Sequence, residues 1–321
     1  MDDTQLGAIF SLGRSGSTWL GALINSHPEV AYRFEPFSRL RAQKDFQAFD
    51  ARLKNELSGS ISTSEIIRLM LPAHPLVDKP PFFDKAHALG FAKNQAWIAS
   101  RVLRMPSAFA HLYTPKNPRH LVFKEVGYGI PLAGLDPEVF GSIPAIYLVR
   151  HPCGNVLSSL TGQNKGLMAD WHMENIGQFL SENSPALFAK YPDVATMSEL
   201  KKLAVLWLYA VEDAARLAGR YPNILFVSYD ELCTSPLQVT KKVFAHLKIP
   251  WHSQTEEFID SCLSLDENES KNKALFSRKY FNVYRNPVTA HSKWKQKISI
   301  EDKDAILRIV SQSPIYKRFF E

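Results

Sequence analysis

The sequence predicts an α/β protein, with a central parallel sheet covered by helices on both faces in a three-layer α/β/α arrangement. Three observations predict it. Two apolar runs each end at an Arg-bearing loop and pass at once into a helical pattern, at residues 8–24 and 143–160. Four apolar runs, at 6–12, 120–126, 143–149 and 223–229, are nearly continuous rather than alternating, as strands buried on both faces are. Strand and helix signals alternate along 321 residues with 45% hydrophobic content, enough for a large core and for one domain over 1–321.

The first unit, residues 8–19, reads AIFSLGRSGSTW. Gly13 and Gly16 let the backbone curl so that several N–H groups converge, and the helix start that follows adds unpaired N–H groups and a positive dipole end. An anion belongs there. Ser15, Ser17 and Thr18 supply hydroxyl donors, and Arg14 supplies a permanent, fork-shaped charge suited to phosphate or sulfate oxygens. The loop departs from the G-x-x-x-x-G-K-[ST] pattern, because Ser17 stands where that Lys would be. This disfavours a nucleoside-triphosphate hydrolase or an ordinary kinase, although not a phosphorylated ligand. For the hexamer alone, a plain Gly/Ser turn before a helix is the alternative.

A helix and a short extended run then lead to Glu35, 21 residues past Arg14 in the stretch Phe34, Glu35, Pro36, Phe37. Apolar neighbours would raise the carboxyl's proton affinity toward that of a general base, and Arg14 would oppose the shift. An ion pair with Arg33 or Arg39 is the alternative. Residues 37–118 form a long connection with helical patterns at 65–71 and 85–104 and breakers at Pro72, Pro75, Pro80 and Pro81. In the strand LVFKEV, Lys124 could add a second positive charge at the site or snorkel to solvent. Glu125 alternates to the other face and reads as structural.

The second unit, IPAIYLVRHPCGNVLSSL at 143–160, puts Arg150 at the carboxyl end of a strand, Pro152 in the first turn of a helix and Ser158 on that helix. Arg150 and Ser158 could close on one phosphate from opposite sides, at the sheet edge where α/β proteins bind ligands. A surface Arg and a solvent-facing Ser are the alternative for either residue alone. Residues 161–198 are rich in Gly, Asn, His and Trp and precede a helix at 199–219. Long connections of this kind cap a site and choose its substrate. Aromatic and polar residues in them, Phe82, Phe83, Trp97, Tyr113, Trp171 and His172, suit a sugar, a phenol or a small polar molecule. His27 and His151, each before a Pro, read as capping or packing residues.

The first block together with LVRHPxxxVLSS resembles the sulfotransferases that use 3′-phosphoadenosine 5′-phosphosulfate (PAPS) as donor. Three further blocks agree: LFVSYDEL followed by Pro236, KKVFAHLKIP, and the basic HSKWKQKIS, so the resemblance runs from residue 8 to about residue 300. It implies a P-loop-like sulfotransferase fold. It also implies that Arg14, Ser15, Gly16, Ser17 and Thr18 hold the 5′-phosphosulfate, and that Arg150 and Ser158 hold the 3′-phosphate. Trp19 and Tyr229 match positions bordering the adenine, with core packing as the alternative for both. Lys293, Trp294 and Lys295 resemble the C-terminal basic loop over the 3′-phosphate, without the Arg-Lys-Gly of aryl enzymes. Arg14 in place of Lys, and the Phe-Glu-Pro element, resemble the carbohydrate type, in which the Glu is the proposed base; Glu35 on that resemblance, and Arg14 and Lys124 as nearby positive charges, are the catalytic candidates.

The implied reaction moves a sulfuryl group in line from PAPS to a hydroxyl, or an amine, of a small-molecule, natural-product or carbohydrate acceptor, releasing adenosine 3′,5′-bisphosphate (PAP). No metal is required by it. The formal charge of +6 suits a polyanionic cofactor, and its dispersal requires no nucleic-acid partner. Cys153, Cys233 and Cys262 are too irregularly spaced for a disulfide framework or a zinc site. No apolar run approaches the roughly 20 residues a membrane helix needs, so no membrane partner is expected. A cytoplasmic protein of bacterial type, acting in secondary metabolism, is the expectation. A P-loop-like small-molecule kinase and a non-catalytic nucleotide-binding scaffold remain the alternatives.

Overall fold

A computed structural model describes residues 4–74, 76–78, 99, 103, 115, 117–164, 171–264 and 286–321. Among them, five parallel strands form one sheet: β1 (Gln5–Ser11), β2 (Val30–Phe34), β3 (His120–Val126), β4 (Ala145–Val149) and β5 (Ile224–Ser228), in the order β2-β3-β1-β4-β5. The four apolar runs are β1, β3, β4 and β5. The short extended run before Glu35 is β2, an edge strand whose five residues are all buried, Arg33 included.

Alternate strand residues point to opposite faces, and the two faces carry separate cores. Ala8, Phe10, Phe123, Tyr147 and Val149 enter one apolar cluster; Ile9, Val122, Ile146, Leu148 and Val227 enter the other. The polypeptide between the strands supplies the outer layers. α1 (Ser17–Asn25) joins β1 to β2, and α2 (Pro36–Arg39), α3 (Lys44–Leu53) and α4 (Thr63–Met70) follow β2. α5 (Pro137–Ser142) precedes β4, and α6 (Pro152–Asn164), α7 (Trp171–Glu174), α8 (Ile176–Asn183), α9 (Pro185–Lys190) and α10 (Glu199–Ala218) lie between β4 and β5. Beyond β5 come α11 (Tyr229–Thr234), α12 (Pro236–His246), α13 (Ser253–Leu263), α14 (Pro287–Ser292), α15 (Ile300–Val310) and α16 (Pro314–Phe320). Residues of α10 and α15 fill the first cluster, and residues of α1, α12 and α13 fill the second, which completes three layers.

The helical patterns at 65–71 and 199–219 correspond to α4 and α10, with each end displaced by two residues or fewer. The start of α4 is fixed by Ser62, whose hydroxyl accepts from the Glu65 N–H, and Pro152 opens α6. Nearly all of the 85–104 pattern, with Phe82, Phe83, Trp97 and Tyr113, lies outside the described residues, as do the side chains of Trp171 and His172.

The outer edge of β2 is covered. Phe34 N–H donates to Val77 O at 2.7 Å, and the buried Arg33 guanidinium pairs with Asp78 at 2.9 Å. Arg33 also donates to Met70 O and Leu71 O, at 2.8 and 2.6 Å. This single side chain ties the segment after α4 to the strand that ends at Glu35.

Candidate active site

Because all five strands are parallel, their carboxyl ends lie along one edge of the sheet, and the segments leaving them build the site. After β1 the chain turns through Arg14 at φ 67° and Gly16 at φ 89°, both left-handed, before α1 begins at Ser17. The requirement for glycine at 16 is steric as well as torsional. A β-carbon there would lie 2.2 Å from ring carbons of Tyr229, which follows β5 directly. Gly16 is the N-cap residue of α1 and no side chain caps this helix, which suits an anion seat at its first turn.

The loop is held from the next strand connection. Asn155, in the first turns of α6, donates to Gly13 O at 2.8 Å and to Ser15 Oγ at 3.2 Å. Sequence reasoning passed over Asn155. Its signal was a poor helix former inside a helical stretch, where only a specific hydrogen-bonding task favours it.

Arg14, Arg150 and Ser158 come together. Arg14 Nε donates to Ser158 Oγ at 3.1 Å, and Arg150 donates from a terminal guanidinium nitrogen to Arg14 O at 3.0 Å. The Arg150 guanidinium also lies 5.0 Å from the Tyr229 ring centre, and Trp207 Nε1 donates to Arg150 O at 3.1 Å. Arg150 Nε is buried with no hydrogen-bond partner among the described residues. A buried guanidinium N–H left unsatisfied is costly, and an anionic oxygen satisfies it.

Trp294 packs on Gly154, where a β-carbon would come within 2.9 Å of the indole, and its ring stacks on His151 at 4.4 Å. His151 is pushed down to about 4, first by burial and then by Lys295, Lys303 and Arg150. Its neutral ring accepts the Cys153 N–H through Nδ1 at 3.2 Å, which places the ring proton on Nε2. Thus His151 caps α6, as the sequence suggested. His27 is likewise a packing residue, buried against Phe244 with its Nδ1 accepting from Glu29 N–H. Lys293 and Lys295 flank Trp294 and are exposed.

Glu35 stands at the carboxyl end of β2 with φ 53°, a second non-glycine residue in the left-handed region on this edge. Its N–H donates to Lys124 O at 2.7 Å, and its carboxylate accepts from Lys124 Nζ at 2.7 Å and from Arg39 at 3.2 Å. Lys124 is buried, with its ammonium 3.9 Å from the Phe34 ring centre; it does not snorkel to solvent. Burial lowers its proton affinity, while Glu35 raises it. Glu35 pairs with Arg39 but not with Arg33, which is engaged by Asp78. Trp19 is buried against Phe258 at 5.8 Å in the second core cluster. Ser15 and Ser17 are buried in the loop, and Thr18 is half-buried.

No group of three or more His, Cys, Asp or Glu side chains that would hold a metal ion occurs among the described residues. Nor is any helix among them long and apolar enough to cross a membrane.

The parallel sheet thus carries at its carboxyl edge the glycine-bearing turn after β1, with Arg14 bonded to Ser158 and Arg150 bonded to the Arg14 carbonyl. The model of the sulfotransferase family matches residues 8–253, and the chain belongs to that family; it is a sulfotransferase, an enzyme of sulfuryl transfer. No curated protein matches the sequence. Among solved structures, it is similar to a mouse sulfotransferase, SULT7A1, complexed with PAP (15% identity, 98% of this chain and 88% of that one, TM-score 0.47). It is also similar to the sulfotransferase domain from the curacin biosynthetic pathway (14% identity, 96% and 97%, TM-score 0.44) and to sulfotransferase STF9 from Mycobacterium avium (13% identity, 99% and 77%, TM-score 0.42). The family match, not these distant likenesses, carries the assignment.

Proposed function

We propose that the enzyme transfers the sulfuryl group of PAPS to a hydroxyl or amine of a small-molecule, natural-product or carbohydrate acceptor, releasing PAP without a metal. The observation that carries the proposal is the meeting of Arg14, Arg150 and Ser158 beside the Gly13–Gly16 loop, with Arg150 Nε left without a partner among the described residues. A nucleotide with phosphate at both its 5′ and 3′ positions supplies anions for both features.

In this reading Arg14, Ser15, Gly16, Ser17 and Thr18 bind the 5′-phosphosulfate, and Arg150, Ser158 and the segment Lys293, Trp294 and Lys295 bind the 3′-phosphate. The Tyr229 ring, packed on Gly16 and 5.0 Å from the Arg150 guanidinium, and Trp19 in the first turn of α1 border the adenine. The acceptor oxygen attacks sulfur as the bond from sulfur to the bridging phosphate oxygen breaks. The acceptor proton passes to Glu35, and Arg14 and Lys124 neutralise charge on the departing and peripheral oxygens. Residues 37–118 and 161–198, the long connections that follow Glu35 and the Arg150/Ser158 segment in the chain, choose the acceptor.

Calorimetric titration with PAP in metal-free buffer tests the cofactor. Wild type should bind at micromolar concentration, and Arg150→Ala should weaken binding at least about tenfold, the loss of one charged hydrogen-bonding partner. Absence of wild-type binding overturns the proposal.

A further inference from the structure

The strand that supplies Lys124 also supplies Glu125, which has no part in the reaction just described. Glu125 is 3% exposed, and both carboxylate oxygens are committed to the turn that follows β2: Oε2 accepts the Phe37 N–H at 3.0 Å and Oε1 accepts the Ser38 hydroxyl at 2.8 Å. On the other side of that turn, Lys124 O accepts the Glu35 N–H at 2.7 Å. Successive residues of β3 therefore grip Glu35 and the two residues beyond Pro36.

The grip has a reason. Glu35 sits at φ 53°, a conformation that a non-glycine residue holds only when its surroundings impose it. The four-residue α2 that follows is too short to impose anything by its own ladder. Buried bonds to a carboxylate are among the stronger constraints available.

We propose that Glu125 is the positioning residue for Glu35: by clamping Phe37 and Ser38 it holds the left-handed turn that keeps the Glu35 carboxylate on Lys124 at the sheet edge. The proposal rests on Glu35 being the proton acceptor. Protonated Glu125 keeps the same clamp, with its carbonyl accepting from Phe37 N–H and its O–H donating to Ser38 Oγ, so Glu125→Gln should preserve it. Glu125→Ala removes both bonds, and Ser38→Ala, at an exposed residue, removes one.

Two measurements test this. The first, hydrogen exchange with no acceptor present, reads the turn itself. In Glu125→Ala, peptides covering residues 35–40 should exchange at least tenfold faster, with the 12–18 loop unchanged and PAP bound as in wild type; Glu125→Gln should stay near wild type. Unchanged exchange at 35–40 overturns the clamp.

The second measurement is PAP release from PAPS with simple phenols and alcohols as acceptors. Glu125→Ala should lose at least tenfold in kcat with little change in the KM for PAPS, Glu125→Gln should retain activity, and Glu35→Gln should lose turnover. Full kcat in a folded Glu125→Ala protein overturns the proposal while leaving Glu35 as base. Full turnover in Glu35→Gln overturns the base assignment, and with it the purpose of the clamp. If Glu125→Ala does not fold, Ser38→Ala decides: exchange at 35–40 should quicken and kcat should fall, and wild-type values for both overturn the proposal.

Discussion

Gly16 shows how much one residue carries in this site. Its φ of 89° excludes most side chains on torsional grounds, and the Tyr229 ring occupies the place of a β-carbon. The two constraints coincide because the chain turns tightly at this point while the Tyr229 ring packs directly against the turn. Replacing Gly16 with Ala should weaken PAP binding by more than tenfold and lower the melting temperature by several degrees, checked by calorimetry and thermal unfolding. The motif made Gly16 and Arg14 legible in sequence. Tyr229 and Asn155 were harder to read: one came from resemblance alone and the other was missed, since each acts on a loop more than 130 residues away in sequence.

At the level of elements, β2 is a five-residue edge strand whose outer hydrogen-bonding edge is covered with the help of Arg33. Its guanidinium bonds Asp78, Met70 O and Leu71 O, so that the edge is covered by chain from the long connection rather than left to pair with another molecule. Removing one partner of a buried pair strands the other charge, which costs about 3–5 kcal/mol. Asp78→Ala should therefore destabilise strongly in denaturant titration, while Arg33→Met, which removes the charge and keeps volume, should be less harmful when combined with Asp78→Ala than Asp78→Ala is alone. The same strand delivers Glu35 to the edge. Sequence periodicity marked it only as an extended run, because five residues that include an Arg give too weak a pattern to distinguish a strand from a loop.

Across the whole molecule, stability and pH are linked through a carboxyl that the fold buries. Burial pushes Glu125 up to about 7, against its bonds from Ser38 and Phe37. Between the ordinary carboxylate range and that value, the folded chain retains a proton the unfolded chain has released, so this group's contribution to stability is full at low pH and is lost as pH rises toward 7. Wild type should lose more unfolding free energy between pH 5 and pH 8 than Glu125→Gln does, measured by denaturant titration at both pH values. Equal losses would show that Glu125 does not govern this slope.

Four of the five described strands, and the glycine-bearing turn between β1 and α1, were determined by the sequence itself. Continuous apolar runs force burial on both faces, and glycines, hydroxyls and a guanidinium beside a helix start can satisfy an anion wherever the rest of the chain goes. Only the tertiary structure decided that Arg14 bonds Ser158, that Lys124 lies buried beneath Glu35, that Trp19 turns into the core, and that Glu125 grips the Phe37 turn. Each of these depends on the parallel register that sets β1 against β3 and β4, and β2 against β3. Register is a property of strands that meet across long stretches of chain, so side chains that are remote in sequence become neighbours only when the sheet is assembled.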